Sequence, residues 1–276
     1  MKPIGAAEQL MFTTVRLETK TGCGTGYFFT FDVEGSSKVP IIITNKHVVN
    51  YNPNEVVTFL LHLTEDGETA NGNFTVTFAP RWIFHPTQDL CYTYVAGIFD
   101  RVKSLSGKEV FYRTISAEII YDKEKLKSLS MMESVVMIGY PNGLWDHIHN
   151  FPIFRYGKTA AHPGYDFNAE SVGLVDMACF PGSSGSPIFI LDEGSFRDKR
   201  GNTTIGQNRL IFLGTLFAGP IVNAEGTIEV RDVPAIPTGK QFFSKTQMMM
   251  NLGYYVKAHE IEAFRKNIEN DLKKQK

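Results

Sequence analysis

The sequence predicts an all-β protein of sandwich or barrel type, finished by one C-terminal helix. Short apolar runs bounded by turn residues fill the first 220 positions, and they are rich in β-branched and aromatic residues. No long helical period separates them, and the period changes only after Gly253. With 276 residues, 43% hydrophobic and 12% aromatic, the chain has ample material for a core and needs no disulfide or metal staple.

In chain order, the strand-like runs are VRLET, GTGYFFTF, PIIITN, VVTFLLHL, NFTVTFA and CYTYV, which form a first unit. Between Gly97 and Glu133 the periodicity weakens and charge rises (DRVKSLSGKE, YDKEKLKSLS), so this stretch reads as the connection between two β units. The boundary is placed so that residues 1–115 form the first unit and 116–276 the second. The second unit opens with SVVMIGY, FPIFRYG, VGLVDMA, SPIFIL and RLIFLGTLF. The run YYVKAHEIEAFRKNIENDLKKQK then carries Ile261, Phe264, Ile268 and Leu272 at three- and four-residue spacing, the pattern of a helix laying one apolar stripe on the β core.

Charge and cysteine usage exclude several functions. The 28 basic and 29 acidic residues nearly cancel, so no whole-protein field favours nucleic acid or an anionic membrane. The N-terminal segment lacks the apolar run of a secretory signal, and the longest uncharged apolar stretch, IFLGTLFAGPIV, falls short of the roughly 20 residues a bilayer requires. A cytoplasmic location is expected. Cys23, Cys91 and Cys179 have neither disulfide nor zinc-ligand spacing. His147 and His149 alternate along one side of a strand but find no third ligand nearby, and His162 stands alone, so no metal and no cofactor is expected.

The chemistry is concentrated in Asp176-Met-Ala-Cys-Phe-Pro-Gly-Ser-Ser-Gly-Ser-Pro187, a small-residue turn between two strands with Ser184 at its apex. A nucleophilic serine needs such a turn, because its hydroxyl must stand clear of other side chains while backbone N–H groups face the developing oxyanion. A serine hydroxyl also needs an imidazole to take its proton, and the imidazole needs a carboxylate to fix its tautomer. The strand Ile41-Ile-Ile ends in a polar turn that holds His47, and Asp89 stands just before the apolar run that begins at Leu90. His85, ahead of Pro86, reads as structural rather than as a rival base.

The order His47, Asp89, Ser184 is that of the two-barrel serine proteases, whose template has gaps of about 45 and about 93 residues. With Gly24-Thr-Gly26, Thr44-Asn-Lys-His47-Val-Val, His85-Pro-Thr-Gln-Asp89-Leu, Gly139-Tyr-Pro141 and Pro181-Gly-Ser-Ser184-Gly-Ser-Pro187, the chain resembles the chymotrypsin-like serine peptidases over residues 10–257. It is closest to the bacterial branch that includes the high-temperature-requirement proteases. The resemblance implies two antiparallel six-stranded β-barrels with the active site between them, His47 and Asp89 coming from the first and Ser184 from the second. It also implies an oxyanion hole made by the backbone N–H groups of Gly182 and Ser184, and a primary pocket formed by Ala178, Leu216 and Gly219. None of those three carries a charge, so an apolar residue is expected before the cut bond, unless Asp176, Glu229 or Asp232 reaches in.

The departures from the family pattern narrow the reading. No cysteine sits near His47, which suits a reducing compartment. Ser183 stands where secreted members have an aspartate that pairs with a new N-terminus, so activation by that cleavage is not expected. Ser186 replaces the second glycine of the commoner motif. The expected function is a serine endopeptidase acting on a protein or peptide, of regulatory or defence type. The alternative is an idle scaffold of the same fold that binds a peptide or partner.

Overall fold

The computed structural model describes residues 1–33, 37–141, 144–227 and 243–275. A short helix α1 (Ala6–Met11) leads into the first sheet, made of β1 (Thr14–Glu18), β2 (Cys23–Val33), β3 (Ser37–Thr44), β4 (Val57–Thr64), β5 (Asn73–Phe78), β6 (Ile83–Phe84) and β7 (Cys91–Tyr94). Helix α2 (Ala96–Ser106) and the short strands β8 (Glu109–Phe111) and β9 (Ile115–Ser116) follow, and then α3 (Lys123–Lys127). The second unit contains β10 (Ser134–Gly139), β11 (Ile153–Thr159), β12 (Val172–Asp176), β13 (Pro187–Asp192), β14 (Ser195–Arg197), β15 (Thr203–Ile205), β16 (Arg209–Ala218), β17 (Ile221–Thr227), β18 (Phe243–Met249) and β19 (Leu252–Lys257). The chain ends in a 3₁₀ segment, Ala258–Phe264, and helix α4 (Arg265–Gln275).

The second unit is the expected closed barrel, with strand order β10-β11-β12-β19-β16-β13, and β14–β15 and β17–β18 form separate two-stranded ribbons. The first unit departs from expectation. Its strands run in the order β5-β4-β1-β2-β3-β7-β6, with β8 on β4 and β9 on β2, and the ladder stays open. Closure would need β5 to pair with β6. The link between them is Ala79-Pro80-Arg81-Trp82, in which Pro80 has no N–H to give, and the Trp82 N–H donates to Pro53 O instead, at 2.8 Å. The sheet nevertheless curls around one core: Val15, Phe28, Phe59, Val76, Trp82 and Cys91 meet in a single cluster, and Phe59 stacks on Trp82.

Strand β2 explains why four aromatic residues, Tyr27, Phe28, Phe29 and Phe31, crowd into five positions. Phe28 faces the core of the first sheet, together with Ile42 of β3. Tyr27, Phe29 and Phe31 face the opposite way, into a cluster that also holds Ile138, Phe189, Phe212 and Val256 of the barrel. Both faces of β2 are therefore buried, and the strand forms the wall shared by the two units. Ile261, Phe264 and Ile268 are buried in that same cluster with Leu272 packed against it, so the C-terminal stripe seals the junction.

Two further expectations are corrected. The stretch after Gly97 is not a plain connection: α2 buries Ile98 and Val102, one turn apart, in the core of the first sheet. The helical run does not begin at Tyr254, because residues through Lys257 belong to β19, which fills the barrel gap between β12 and β16. No helix among the described residues is long and apolar enough to cross a membrane. Glu229 and Asp232 lie outside the described residues.

His62 on β4 is 5% exposed, edge-on to Phe12 and close to Phe151, and burial lowers its imidazole from the usual 6.5 to about 4. The folded state therefore keeps His62 neutral where the unfolded chain protonates it, so this residue's contribution to stability is full above about 6.5 and is lost as pH falls toward about 4. The loss over that window is on the order of 3 kcal/mol. Denaturant unfolding at pH 7 and pH 4.5 should show His62→Phe losing about 2 kcal/mol less than wild type on acidification. An equal loss in both proteins would contradict this origin.

Candidate active site

The loop that carries Ser184 consists of two consecutive four-residue turns. The Ser183 N–H donates to Phe180 O and the Ser186 N–H to Ser183 O, both at 3.0 Å. Each turn has a glycine in its third position, Gly182 with φ +85° and Gly185 with φ +84°. A positive φ at that position is the signature of a type II turn and is the reason for glycine there. Gly185 is doubly constrained, since an added Cβ would lie 1.9 Å from Thr25 O and 2.6 Å from Thr44 Oγ1.

This turn pair divides the backbone N–H groups. Ser183, Gly185 and Ser186 all have acceptors, Gly185 donating to Leu216 O at 2.8 Å. Among the described residues, the N–H groups of Gly182 and Ser184 have none. Ser183 and Ser186 are buried while Ser184 is half-buried, so Ser184 is the hydroxyl that the loop presents. The room for Ser186, in place of a glycine, comes from Gly139 at the end of β10: a Cβ there would sit 2.0 Å from Ser186 Oγ.

His47 opens the 3₁₀ turn His47–Val49 directly after β3. Val48 of that turn presses on Gly24, where a Cβ would come within 2.7 Å of it, which accounts for the first glycine of Gly24-Thr-Gly26. Asp89 faces the histidine with both oxygens. His47 Nδ1 lies 2.5 Å from Asp89 Oδ2, and the His47 backbone N–H donates to Asp89 Oδ1 at 3.2 Å. Buried Asn45 donates from Nδ2 to Asp89 O at 2.7 Å. The carboxylate is thus fixed in orientation and leaves Nε2 facing away from it. Neither His47 Nε2 nor Ser184 Oγ makes a hydrogen bond among the described residues; such contacts often tighten only when substrate binds.

His85 is structural. Its Nδ1 accepts from the N–H groups of Thr87 and Gln88, and its Nε2–H donates to Glu260 O at 3.2 Å. Burial lowers its basicity, which matches this neutral tautomer. The ring therefore ties the turn that presents Asp89 to the C-terminal segment.

Thr25 joins the two halves of the site. Its N–H donates to Ser184 O at 2.9 Å and its Oγ1 to Gly182 O at 3.2 Å, while Oγ1 also accepts from the Tyr140 N–H and its carbonyl accepts from Thr44 Oγ1. Sequence reasoning noted Thr25 as part of a motif but not as the link, since nothing local reveals a contact with residues 182–185.

Around the expected pocket, Leu216 is buried, Ala178 is half-buried, and Gly219 follows the end of β16. Asp176 is exposed at the end of β12. A residue that the sequence did not single out stands here: the Arg155 guanidinium donates from Nη1 to Ala178 O and lies 4.7 Å from the Phe180 ring. Cys91 and Cys179 are buried, and burial pushes the Cys179 thiol up to about 11, so neither behaves as a thiolate. His149 pairs with Asp146 on the surface, and His162 accepts from the Gly164 N–H. No group of three or more metal-ligating side chains occurs among the described residues.

The turn geometry makes Gly185 far less replaceable than a glycine in open space. Gly185→Ala should lose more than about 2 kcal/mol of stability through strain and overlap. Gly22→Ala, with nothing within 4 Å of the added carbon, should stay within about 0.5 kcal/mol of wild type. Equal unfolding midpoints for the two variants would contradict the double-turn description.

No family model matches the chain, and no curated protein does. Among solved structures, it is similar to the protease Rv3671c from M. tuberculosis in its inactive form, at 16% identity and TM-score 0.43 over 96% of this chain and 97% of that one. A serine-to-alanine mutant of the same protein matches at 14% identity and TM-score 0.43, with 97% of each chain covered. The human pathogenic astrovirus serine protease matches at 12% identity and TM-score 0.42, with 89% of each chain covered.

Proposed function

We propose that the chain is a serine endopeptidase in which His47, Asp89 and Ser184 form the triad. The observations that carry this reading are an imidazole oriented by a carboxylate and a serine loop, tied through Thr25 to Thr44 ahead of that histidine, in which, among the described residues, the N–H groups of Gly182 and Ser184 have no acceptor. Ser184 Oγ attacks the scissile carbonyl while His47 Nε2 takes its proton. Asp89 holds Nδ1–H and stabilises the imidazolium that forms. The carbonyl oxygen, now negative, is received by the N–H groups of Gly182 and Ser184, a type of stabilisation worth about 10²–10³-fold in turnover per donor. The imidazolium then gives its proton to the leaving amine, and water repeats the sequence on the acyl-enzyme. No cofactor takes part.

The substrate is a protein or peptide. Residues 1–115 supply the base and its carboxylate, and residues 116–276 supply the nucleophile. The spelling of the histidine and serine motifs supports kinship with the bacterial high-temperature-requirement branch, and the scarcity of cysteine supports action in the cytoplasm as a regulatory or defence protease.

A fluorophosphonate reporter should label wild type at Ser184 and leave Ser184→Ala unlabelled. Hydrolysis of a peptide library should fall on the order of 10⁶-fold in Ser184→Ala or His47→Ala, with the double variant little worse than either, because nucleophile and base act as a unit. Asp89→Asn should lose roughly 10⁴-fold with the fold intact. Any of these variants retaining more than a tenth of wild-type turnover would remove that residue from the triad.

A further inference from the structure

Among the described residues, Arg155 has no anionic partner that would explain its charge. It lies on β11 opposite Met137 of β10, and directly paired residues of an antiparallel ladder share a face. Met137 belongs to the barrel cluster that contains Cys179 and Leu216, so the Arg155 side chain runs along the inner side of the barrel toward that end. Its head reaches Ala178 O and the Phe180 ring, the first and third residues of the short segment that leads into the serine loop. The guanidinium is half-buried, and burial lowers its basicity. Among the described residues, no carboxylate lies within ion-pair distance of it. This contrasts with Arg209 on the same barrel, which pairs with both Glu133 and Asp192.

A guanidinium held in a partly desolvated place by one neutral carbonyl keeps most of its five donors free, and a planar fork of donors matches a carboxylate in two-point fashion. Taking the charge further out of water without a counter-ion is unfavourable, so an apolar group seated against it would gain little. An anionic side chain would neutralise it. We propose that Arg155 is a specificity-determining residue that selects a glutamate or aspartate on the N-terminal side of the cut bond. This rests on the peptidase reading, because it takes Ala178 to be the floor of the pocket that receives that side chain. It replaces the apolar preference expected from Ala178, Leu216 and Gly219 alone, since those residues left the floor neutral and Arg155 does not.

The test uses binding, so that it does not depend on turnover. In the full chain carrying Ser184→Ala, fluorescence anisotropy would compare peptides that end in glutamate, glutamine, leucine or lysine and are blocked as C-terminal amides, so that only the last side chain varies. The glutamate peptide should bind on the order of 10–100-fold more tightly than its glutamine isostere, the range for a charge-assisted hydrogen bond. The advantage should shrink with added salt, and in the Arg155→Gln background it should fall to within about threefold. Arg155→Lys should retain part of it, because the charge remains while the two-point geometry is lost. Equal binding of the glutamate and glutamine peptides to the Arg155 protein, or tighter binding of the leucine peptide, would overturn the proposal without needing any Arg155 variant. Failure of fluorophosphonate labelling in the parent chain would instead overturn the peptidase reading.

Discussion

The site depends on one backbone junction, the meeting of Thr25 with the loop that carries Ser184. Thr25 sits on β2, the strand whose two faces are divided between the core of the first sheet and the core shared with the barrel. Through its N–H, hydroxyl and carbonyl it holds Ser184 O, Gly182 O, the Tyr140 N–H and Thr44 Oγ1. The last of these lies three residues before His47. A displacement of the barrel relative to the sheet would therefore strain the hydrogen bonds that tie the loop of Ser184 to the strand end ahead of His47, and the large aromatic cluster behind β2 resists such a displacement because close-packed interiors deform little.

The aspartate is held just as firmly from the other side. Asn45 fixes its backbone, the His47 N–H fixes one carboxylate oxygen, and His85 ties its turn to the segment that follows the last barrel strand. The C-terminal 3₁₀ segment thus contributes to the site at a distance: Phe264, which packs edge-on against His85, is also buried in the cluster between the units. Preorganisation of this kind is what allows a weak nucleophile such as a serine hydroxyl to be activated without reorganisation at the moment of reaction.

The parts of the site that were legible in the sequence are those whose chemistry restricts residue type locally. Two glycines in third positions of successive turns, a histidine at a strand end and an aspartate ahead of an apolar strand are each written in a few neighbouring letters. Five of the six barrel strands, β10, β11, β12, β13 and β16, were legible for the same reason. What stayed hidden depends on pairings distant in the chain. The open edge of the first sheet follows from the two-residue strand Ile83–Phe84 and the proline-bearing link before it, whose consequence is set by where Trp82 finds its acceptor. Helix α2 was masked by its charges, although Ile98 and Val102 already had helical spacing. Tyr254–Lys257 read as helix because the apolar stripe that follows dominates the pattern, while only the gap between β12 and β16 makes them a strand. Arg155 is one letter of the strand-like run FPIFRYG, and its meeting with Ala178 exists only in three dimensions.

The central claim is that Ser184, His47 and the N–H groups of Gly182 and Ser184 act together on one tetrahedral centre. A crystal structure of the protein treated with a peptidyl boronate tests this most directly, because boron becomes tetrahedral on bonding a serine oxygen and then places one of its own oxygens where the oxyanion would lie. The expected result is a bond from Ser184 Oγ to boron, one boronate oxygen within about 3 Å of the N–H groups of Gly182 and Ser184, and His47 Nε2 within hydrogen-bond reach of the adduct. An adduct on another residue, or one on Ser184 whose oxygen points away from both N–H groups, would contradict the account.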